Sequence, residues 1–341
     1  MIKNFFNNVF NPLLMKTKIS IITGASGEIG QNLISYFTKS SRKKIIALDL
    51  NKSNYNNIFK FIEGSILDKD ILNKINDEYI VEEIFHLAAI LSTKAEKNQQ
   101  LAKNVNVQGT INLLDLASSQ YLTNKITTKF FFPSSIAVYN INKNTKNNKK
   151  SINEINYCNP KTVYGQHKLL CENLGTARRN QNNKQKSKID FRCIRFPGII
   201  SANSIPTGGT SDYAPEMIHH AFQQKNYTCF VDSKSCLPFI VMPDAINAII
   251  KIMNTDKNKL NKTVYNITSF SPEVIDLFNI IKSKFPKFKL NYNIDKMRQT
   301  IVNGWPSYID DSAAKNDWGW KPQYNLKSAF DNYITPNLEK I

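Results

Sequence analysis

Lys18–Gly30, K-I-S-I-I-T-G-A-S-G-E-I-G, is the stretch that decides the fold. Ile19, Ile21 and Ile22 form a short β-branched run of the kind that lies buried in a parallel sheet. The run meets Gly24, Gly27 and Gly30 in G-x-x-G-x-x-G spacing, with Glu28 and Ile29 inside the turn. Ile29, Leu33, Ile34 and Phe37 then recur at helical spacing. Strand, tight glycine turn and helix together place a pyrophosphate on a helix N-terminus, where backbone N–H groups are free and the dipole favours negative charge. Three glycines at this spacing also make an ordinary turn, so the next element matters. Residues 44–48 (K-I-I-A-L) read as a second strand ending in Asp49, about 20 residues past the loop. An acid there accepts hydrogen bonds from the adenosine ribose hydroxyls and repels a 2′-phosphate. The completed pattern points to NAD rather than NADP.

The chain of 341 residues is long enough for one large domain or two smaller ones with a proper core. No apolar run approaches a membrane-spanning length, so no membrane partner is expected. Cys158, Cys171, Cys193, Cys229 and Cys236 are scattered, odd in number and without C-x-x-C spacing. They read as free thiols in a reducing compartment, with no metal site. The net charge of +18 invites a nucleic-acid reading. However, the lysines alternate with asparagine in polar stretches such as 143–150 (K-N-T-K-N-N-K-K), as in solvated loops. No basic helical stripe carries interleaved aromatics, so no nucleic-acid partner is expected. Residues 1–17 carry Ile2, Phe5, Phe6, Val9, Phe10, Leu13 and Leu14 at helical spacing, with no acid before Glu28. They read as an organellar, mitochondrial transit peptide; the alternatives are a frayed helix or a start at Met15, which would leave the protein cytoplasmic.

Further along, 59–62 reads as a third strand, leading to Ser65 and Ile66, and 83–87 (E-I-F-H-L) as a fourth. The fourth runs into Ala88-Ala89-Ile90-Leu91-Ser92, small residues that suit close approach of a cofactor; His86 reads as a core residue. Residues 97–118 read as one helix. Residues 129–133 form a fifth strand tipped by Ser134-Ser135, and a helix opens near Thr162. Tyr164 and Lys168 lie four apart on one face of it. A phenol with a pKa of about 10 is a poor base at neutral pH. An ammonium one turn away favours the phenolate. With a serine hydroxyl beside it, the pair has the means to take a proton from an alcohol whose carbon gives hydride to NAD⁺.

These segments resemble the extended short-chain dehydrogenase/reductase family. H-L-A-A-I-L-S (86–92), F-F-P-S-S-I-A-V-Y (131–139) and Y-G-Q-H-K (164–168) are general to that family. R-F-P-G-I-I-S (195–201), G-G-T-S-D-Y-A (208–214) and the run from W-P (305–306) to D-D-S-A-A-K-N-D-W-G-W (310–320) resemble its L-threonine 3-dehydrogenases. The resemblance implies a Rossmann α/β fold: a doubly wound parallel sheet with a smaller C-terminal α/β substrate lobe. The expected divisions are an extension at 1–17, an NAD-binding domain at 18–198 with returning segments at 239–267, and a substrate lobe from 199–238 and 268–335.

The same resemblance implies catalysis by Ser135, Tyr164 and Lys168. It places the cofactor against Gly24, Gly27, Glu28, Ile29, Gly30, Asp49, Ser65, Ile66, Leu87, Ala88, Ala89, Asn106, Tyr164, Lys168 and Pro197. It places L-threonine against Ser92, Ser135, Tyr164, Gly209, Thr210 and Trp305, and implies a homodimer built on helices 97–118 and 162–177. Ser65 stands where the family often has Asp, and Asn140 where it often has Gly. The activity implied is oxidation of the β-hydroxyl of L-threonine to 2-amino-3-oxobutanoate; the alternatives are a sugar-nucleotide epimerase or dehydratase, and a non-enzymatic binding protein. Asp310 and Asp311 read as helix caps.

Overall fold

The computed structural model describes residues 16–41, 43–52, 55, 57–142, 150–180, 188–204, 206 and 209–338. The polar loop 143–149 and nearly all of the N-terminal extension lie outside these residues. Seven parallel strands form the central sheet in the order β10-β6-β5-β4-β1-β2-β3. They are β1 (Thr17–Thr23), β2 (Ile45–Asp49), β3 (Lys60–Glu63), β4 (Tyr79–His86), β5 (Thr128–Ser135), β6 (Ile189–Phe196) and β10 (Val264–Asn266). A parallel sheet must bury both faces. Ile22, Ala47, Phe85, Phe131 and Ile194 do so on one face, under helices α1 (Glu28–Ser40) and α8 (Met242–Asn254). Ile21, Ile46, Ile84, Phe130 and Phe132 do so on the other, under α2 (Lys69–Glu78), α5 (Gly109–Asn124) and α6 (Val163–Arg179).

Strand order reverses between β1 and β4, and that reversal opens a crevice at the strands' C-terminal ends. The doubly wound α/β class expected from the sequence is therefore present. Two short parallel pairs stand outside the large sheet: β7 (Gly198–Ile200) with β9 (Phe239–Val241), and β8 (Tyr227–Cys229) with β11 (Leu290–Tyr292). α7 (Tyr213–Phe222), α9 (Val274–Lys284), α10 (Lys296–Gly304) and α11 (Ser312–Trp318) surround these pairs. Their side chains share one core cluster with the first face of the sheet, from Ile22 to Trp320. Among the described residues no helix is long and apolar enough to cross a membrane, and all five cysteines are free.

The structure corrects the reading of 97–118 as one helix. Ser92–Lys97 (α3) and Gln99–Lys103 (α4) meet at Asn98, whose side chain caps the second by accepting from Leu101 N–H. A wider π turn, Asn104–Gln108, follows before α5. The hydrophobic period continues through this break because both sides of it face the same core, so periodicity alone conceals it. The π turn has a use. It sets Asn106 against the 88–90 loop, where its amide accepts from Ile90 N–H at 2.7 Å and donates to Ile90 C=O at 2.9 Å. A second π turn, Phe330–Ile334, follows the short helix Leu326–Ala329.

Candidate active site

The glycine loop shows why its residues must be small. Gly24 has φ +65°, and a Cβ on it would stand 2.5 Å from Ala88 N. It is the point where the ends of β1 and β4 touch across the crevice. Gly30 lies with its Cα face against the carbonyls of Gly24 and Ala25, both 2.5 Å from where a Cβ would be. α1 therefore starts hard against the end of β1. No side chain caps that start, Gly27 being the N-cap residue, so its first-turn N–H groups face the crevice without a built-in acceptor. This is a cradle for an anion, and it fits a pyrophosphate.

Asp49 stands at the end of β2, where one carboxylate oxygen accepts from Ser26 N–H at 2.9 Å and the other from Asn51 N–H at 3.1 Å. It braces the loop while keeping lone pairs free for a ribose. Glu28 instead reaches the opposite wall, where Ser204 donates to its carboxylate. Ser65 Oγ accepts from Leu67 N–H at 3.1 Å, and Ile66 is buried beneath it. Leu87, Ala88 and Ala89 line the start of the next loop; Leu87 N–H donates to Thr23 C=O at 3.0 Å. Pro197 lies buried between β6 and β7.

The serine, tyrosine and lysine converge from β5 and α6. Ser135 ends β5 half-buried and accepts from Ala137 N–H at 3.2 Å, leaving its own proton to donate elsewhere. Ser134 points into the protein interior, its hydroxyl buried with no partner. The two serines thus face opposite sides of the strand, as its alternation requires. Lys168 is buried; it donates to Pro133 C=O at 2.7 Å and sits 4.6 Å from the centre of the Phe132 ring and 5.5 Å from that of Tyr164.

Electrostatically the pair differs from the sequence reading. Burial pushes the Tyr164 phenol above its ordinary range. Burial likewise lowers the Lys168 ammonium to about 8, against small upward pulls from Cys171, Cys193 and Glu172. Desolvation is the leading cause at both groups. The ammonium alone does not make Tyr164 a ready base, and a further positive charge in the crevice has work to do there.

His86 is a core residue, as its position suggested. Its two ring nitrogens are 2.9 Å from the hydroxyls of Thr23 and Thr110. Burial, and then the charge of Lys168, lower its pKa to about 3, so it is neutral at physiological pH. Cys171 donates to Asn106 C=O at 3.2 Å, and burial raises its thiol pKa, which suits a structural thiol.

Apart from Ser135 and Tyr164, the residues singled out for substrate lie in the second half and in α3. Ser92 opens α3. Thr210 is buried, and Trp305 is buried at the end of α10. Gly208 lies outside the described residues. Gly209 N–H donates to the Asp212 carboxylate at 2.6 Å. A substrate carboxylate there has that bond to displace. Asp310 accepts from Ser312 N–H at 2.9 Å, in keeping with a cap; Asp311 holds the N-cap position of α11, but its side chain makes no capping bond and accepts instead from the Trp320 indole N–H at 3.2 Å.

Two features escaped the sequence reading. Gly165, between Tyr164 and Lys168, would place a Cβ 2.1 Å from Ala137 C=O, and Gly175 would place one 2.2 Å from the Phe191 ring. These two glycines let α6 lie close on the turn after β5 and on β6, and so set the height of both catalytic candidates. The expected result for Gly165→Ala is a loss of ~1–3 kcal/mol as backbone gives way. Thermal unfolding checks it; an unchanged Tm would contradict the close approach. The second feature is Glu96, which accepts from Val163 N–H at 2.7 Å and ties α3 to the start of α6.

Residues 20–268 match the family described as NAD dependent epimerase/dehydratase. The mitochondrial L-threonine 3-dehydrogenase of Bos taurus is 32% identical over 311 residues, 90% of this chain and 79% of the bovine one. The crystal structure of L-threonine dehydrogenase from Phytophthora infestans superposes with TM-score 0.84 at 31% identity, covering 95% of this chain and 100% of that one. A monomeric L-threonine 3-dehydrogenase from a metagenome, in its apo form, superposes at 0.83 with 35% identity, covering 94% and 99%.

Proposed function

The chain belongs to the NAD-dependent epimerase/dehydratase family, an NAD-dependent oxidoreductase by its relatives, and on that premise we propose that it oxidises the β-hydroxyl of L-threonine. The product is 2-amino-3-oxobutanoate. The observation that carries the reading is the end-to-end likeness to L-threonine dehydrogenases, covering more than nine-tenths of both chains in the solved structures. It is supported by a crevice in which Ser135, Tyr164 and Lys168 stand at the C-terminal ends of the strands.

Bound NAD⁺ supplies the hydride acceptor and a positive ring. The Gly24–Gly30 turn and the α1 N-terminus would hold its pyrophosphate, Asp49 its adenosine ribose, and Ser65 and Ile66 its adenine. Leu87, Ala88, Ala89, Asn106 and Pro197 would shape the slot for the rest. Ser135 donates a hydrogen bond to the substrate hydroxyl and fixes its direction. Tyr164 accepts that hydroxyl's proton as the carbonyl forms. Lys168 would hold the phenolate's charge from one helical turn away and would donate to the nicotinamide ribose. Ser92, Gly209 and Thr210 would orient the amino-acid carboxylate and ammonium, and Trp305 would pack on the methyl group.

We assign residues 18–198 with 239–267 to the cofactor domain, and 199–238 with 268–335 to the substrate lobe. A homodimer through residues 97–118 and 162–177 is consistent with exposed Leu101 on α4 and Leu170 on α6, at 46% and 43%. Light scattering during gel filtration decides it, since a monomer mass would remove the dimer. We read the N-terminal extension as a mitochondrial address, which a fluorescent fusion of residues 1–17 tests.

Asp49→Ala is expected to lower kcat/KM for NAD⁺ about tenfold, the loss of a charge-assisted hydrogen bond of about 1.4 kcal/mol, and to narrow the preference over NADP⁺. Unchanged selectivity would remove Asp49 from the ribose. The product itself is tested with L-threonine labelled with ¹³C at Cβ. A ketone carbon signal supports the reading, and a resonance still at an alcohol position after NADH has formed contradicts it.

A further inference from the structure

We propose that Arg195 is a positioning residue that holds the Tyr164–Lys168 helix and the Trp305 segment in one register. The inference rests on the threonine reading above, which supplies the roles of those residues. Arg195 lies in β6, two residues before Pro197, and is buried at 3% exposure. Its guanidinium makes a fork with Glu172: Nε donates to Oε1 at 2.9 Å and Nη2 to Oε2 at 2.6 Å. Glu172 is also buried, at 2%. It stands four residues beyond Lys168 and eight beyond Tyr164 on α6, and therefore on their face of the helix.

The other end of the fork leads to the substrate side. Arg195 Nη1 donates to the Tyr139 hydroxyl at 2.9 Å and to Glu154 C=O at 2.7 Å. Tyr139, four residues after Ser135, donates in turn to Asn266 Oδ1 at 2.8 Å. The Asn266 amide donates to the carbonyls of Ile152, at 3.2 Å, and Asp310, at 3.3 Å. Ile152 is laced to the strip after Trp305: its N–H donates to Tyr308 C=O at 3.1 Å, and Asp310 N–H donates to its carbonyl at 2.9 Å. On the other flank, Ile141 N–H donates to Gly304 C=O, next to Trp305, at 2.8 Å. One buried guanidinium thus joins the ends of β5 and β6, the catalytic helix and the segment read as the methyl wall.

The fork has a second effect. Glu172 is the carboxylate nearest Lys168 along α6, and Arg195 takes both of its oxygens. The other titratable groups around Lys168 are Cys171, Cys193, Tyr164 on its own helix and the neutral His86 from β4. Around Arg195 stand Cys158, whose Sγ is 3.4 Å from Nη1, and Glu154, whose carboxylate pairs with Lys262 at 2.8 Å. A lysine at 195 has one ammonium and cannot reproduce the two-oxygen grip. A loosened Glu172 carboxylate would turn toward Lys168 and hold its proton to higher pH.

The test compares wild type, Tyr139→Phe and Arg195→Lys in steady-state oxidation of L-threonine, with NADH binding followed by fluorescence. Tyr139→Phe keeps the ring and removes only the hydroxyl link. It is expected to raise KM for L-threonine about 3- to 10-fold, the worth of one buried hydrogen bond, with kcat and NADH affinity little changed. Arg195→Lys is expected to move the alkaline limb of the kcat/KM profile upward. A purely structural role would lower the folded fraction, and with it kcat alone, leaving KM and the pH profile where they were; that result, or no change in either variant, overturns the proposal. Wild type inert on L-threonine while binding NADH would instead overturn the substrate reading, and would be visible before either variant is measured.

Discussion

Tyr164→Phe is expected to lower kcat by about 10³-fold, within the range for losing a general base, while leaving NADH binding intact. Phenylalanine fills the same space, so α6 keeps its seat on Gly165 and Gly175 and the fold does not pay for the change. Only the oxygen proposed to take the proton is gone. The pH dependence of the wild type tests the same residue. Burial raises the Tyr164 pKa, so at neutral pH the free enzyme holds the phenol protonated. The reactive phenolate fraction then grows as pH rises, and kcat/KM for L-threonine should climb between about pH 6 and 9 with the wild type and lie flat with Tyr164→Phe. Lys168, lowered to about 8, begins to lose its proton within that window. The climb should therefore bend as the supporting charge disappears. A variant retaining most of its turnover, or a wild-type profile that falls across this window, would take the base assignment away from Tyr164.

The second large effect is at Gly24. Gly24→Ala places a methyl 2.5 Å from Ala88 N at a backbone φ of +65°. Left-handed geometry costs an alanine ~1 kcal/mol, and displaced backbone at the β1–β4 junction costs ~1–3 kcal/mol more. Because that junction is the floor of the crevice, cofactor affinity should fall by about 100-fold, equivalent to ~2.7 kcal/mol. Isothermal titration with NADH and thermal unfolding read the two parts separately. Affinity within a factor of two of wild type would mean that the cofactor does not lie over this turn.

Lys168 links these results to stability. Its pKa is lower in the folded protein than the ordinary 10.5 of a free lysine. The unfolded chain therefore binds more protons between about pH 8 and 10.5, and this group's contribution to stability rises with pH across that window. Below pH 8 the folded protein keeps a buried, charged lysine at a cost.

The sheet and its cofactor turn were legible because their physics is local. A β-branched run, a glycine turn and an acid at the end of the next strand each constrain their own few residues. The Tyr164–Lys168 pair was legible for the same reason, being set by one helical turn. What the sequence concealed depends on distant partners. Gly165 is required by a carbonyl 28 residues earlier, on a different element. Arg195 reads as one basic residue in a strand until Glu172, Tyr139 and Glu154 close round it. The break at Asn98 was invisible because both sides of it bury the same face. The direction of the Tyr164 shift was misjudged because spacing gives the neighbouring charge but not the depth of burial.

The measurement that tests the account most directly is NADH formation by the purified chain, followed by absorbance. L-threonine would be run beside L-serine, L-allo-threonine and a UDP-sugar, with NAD⁺ and again with NADP⁺. The account predicts rapid NADH production with L-threonine and NAD⁺, little with L-allo-threonine, and little with NADP⁺. No NADH from L-threonine together with turnover of the UDP-sugar would contradict it: Ser135, Tyr164 and Lys168 would keep their chemistry, and the assignment of Gly209, Thr210 and Trp305 to an amino acid would fall.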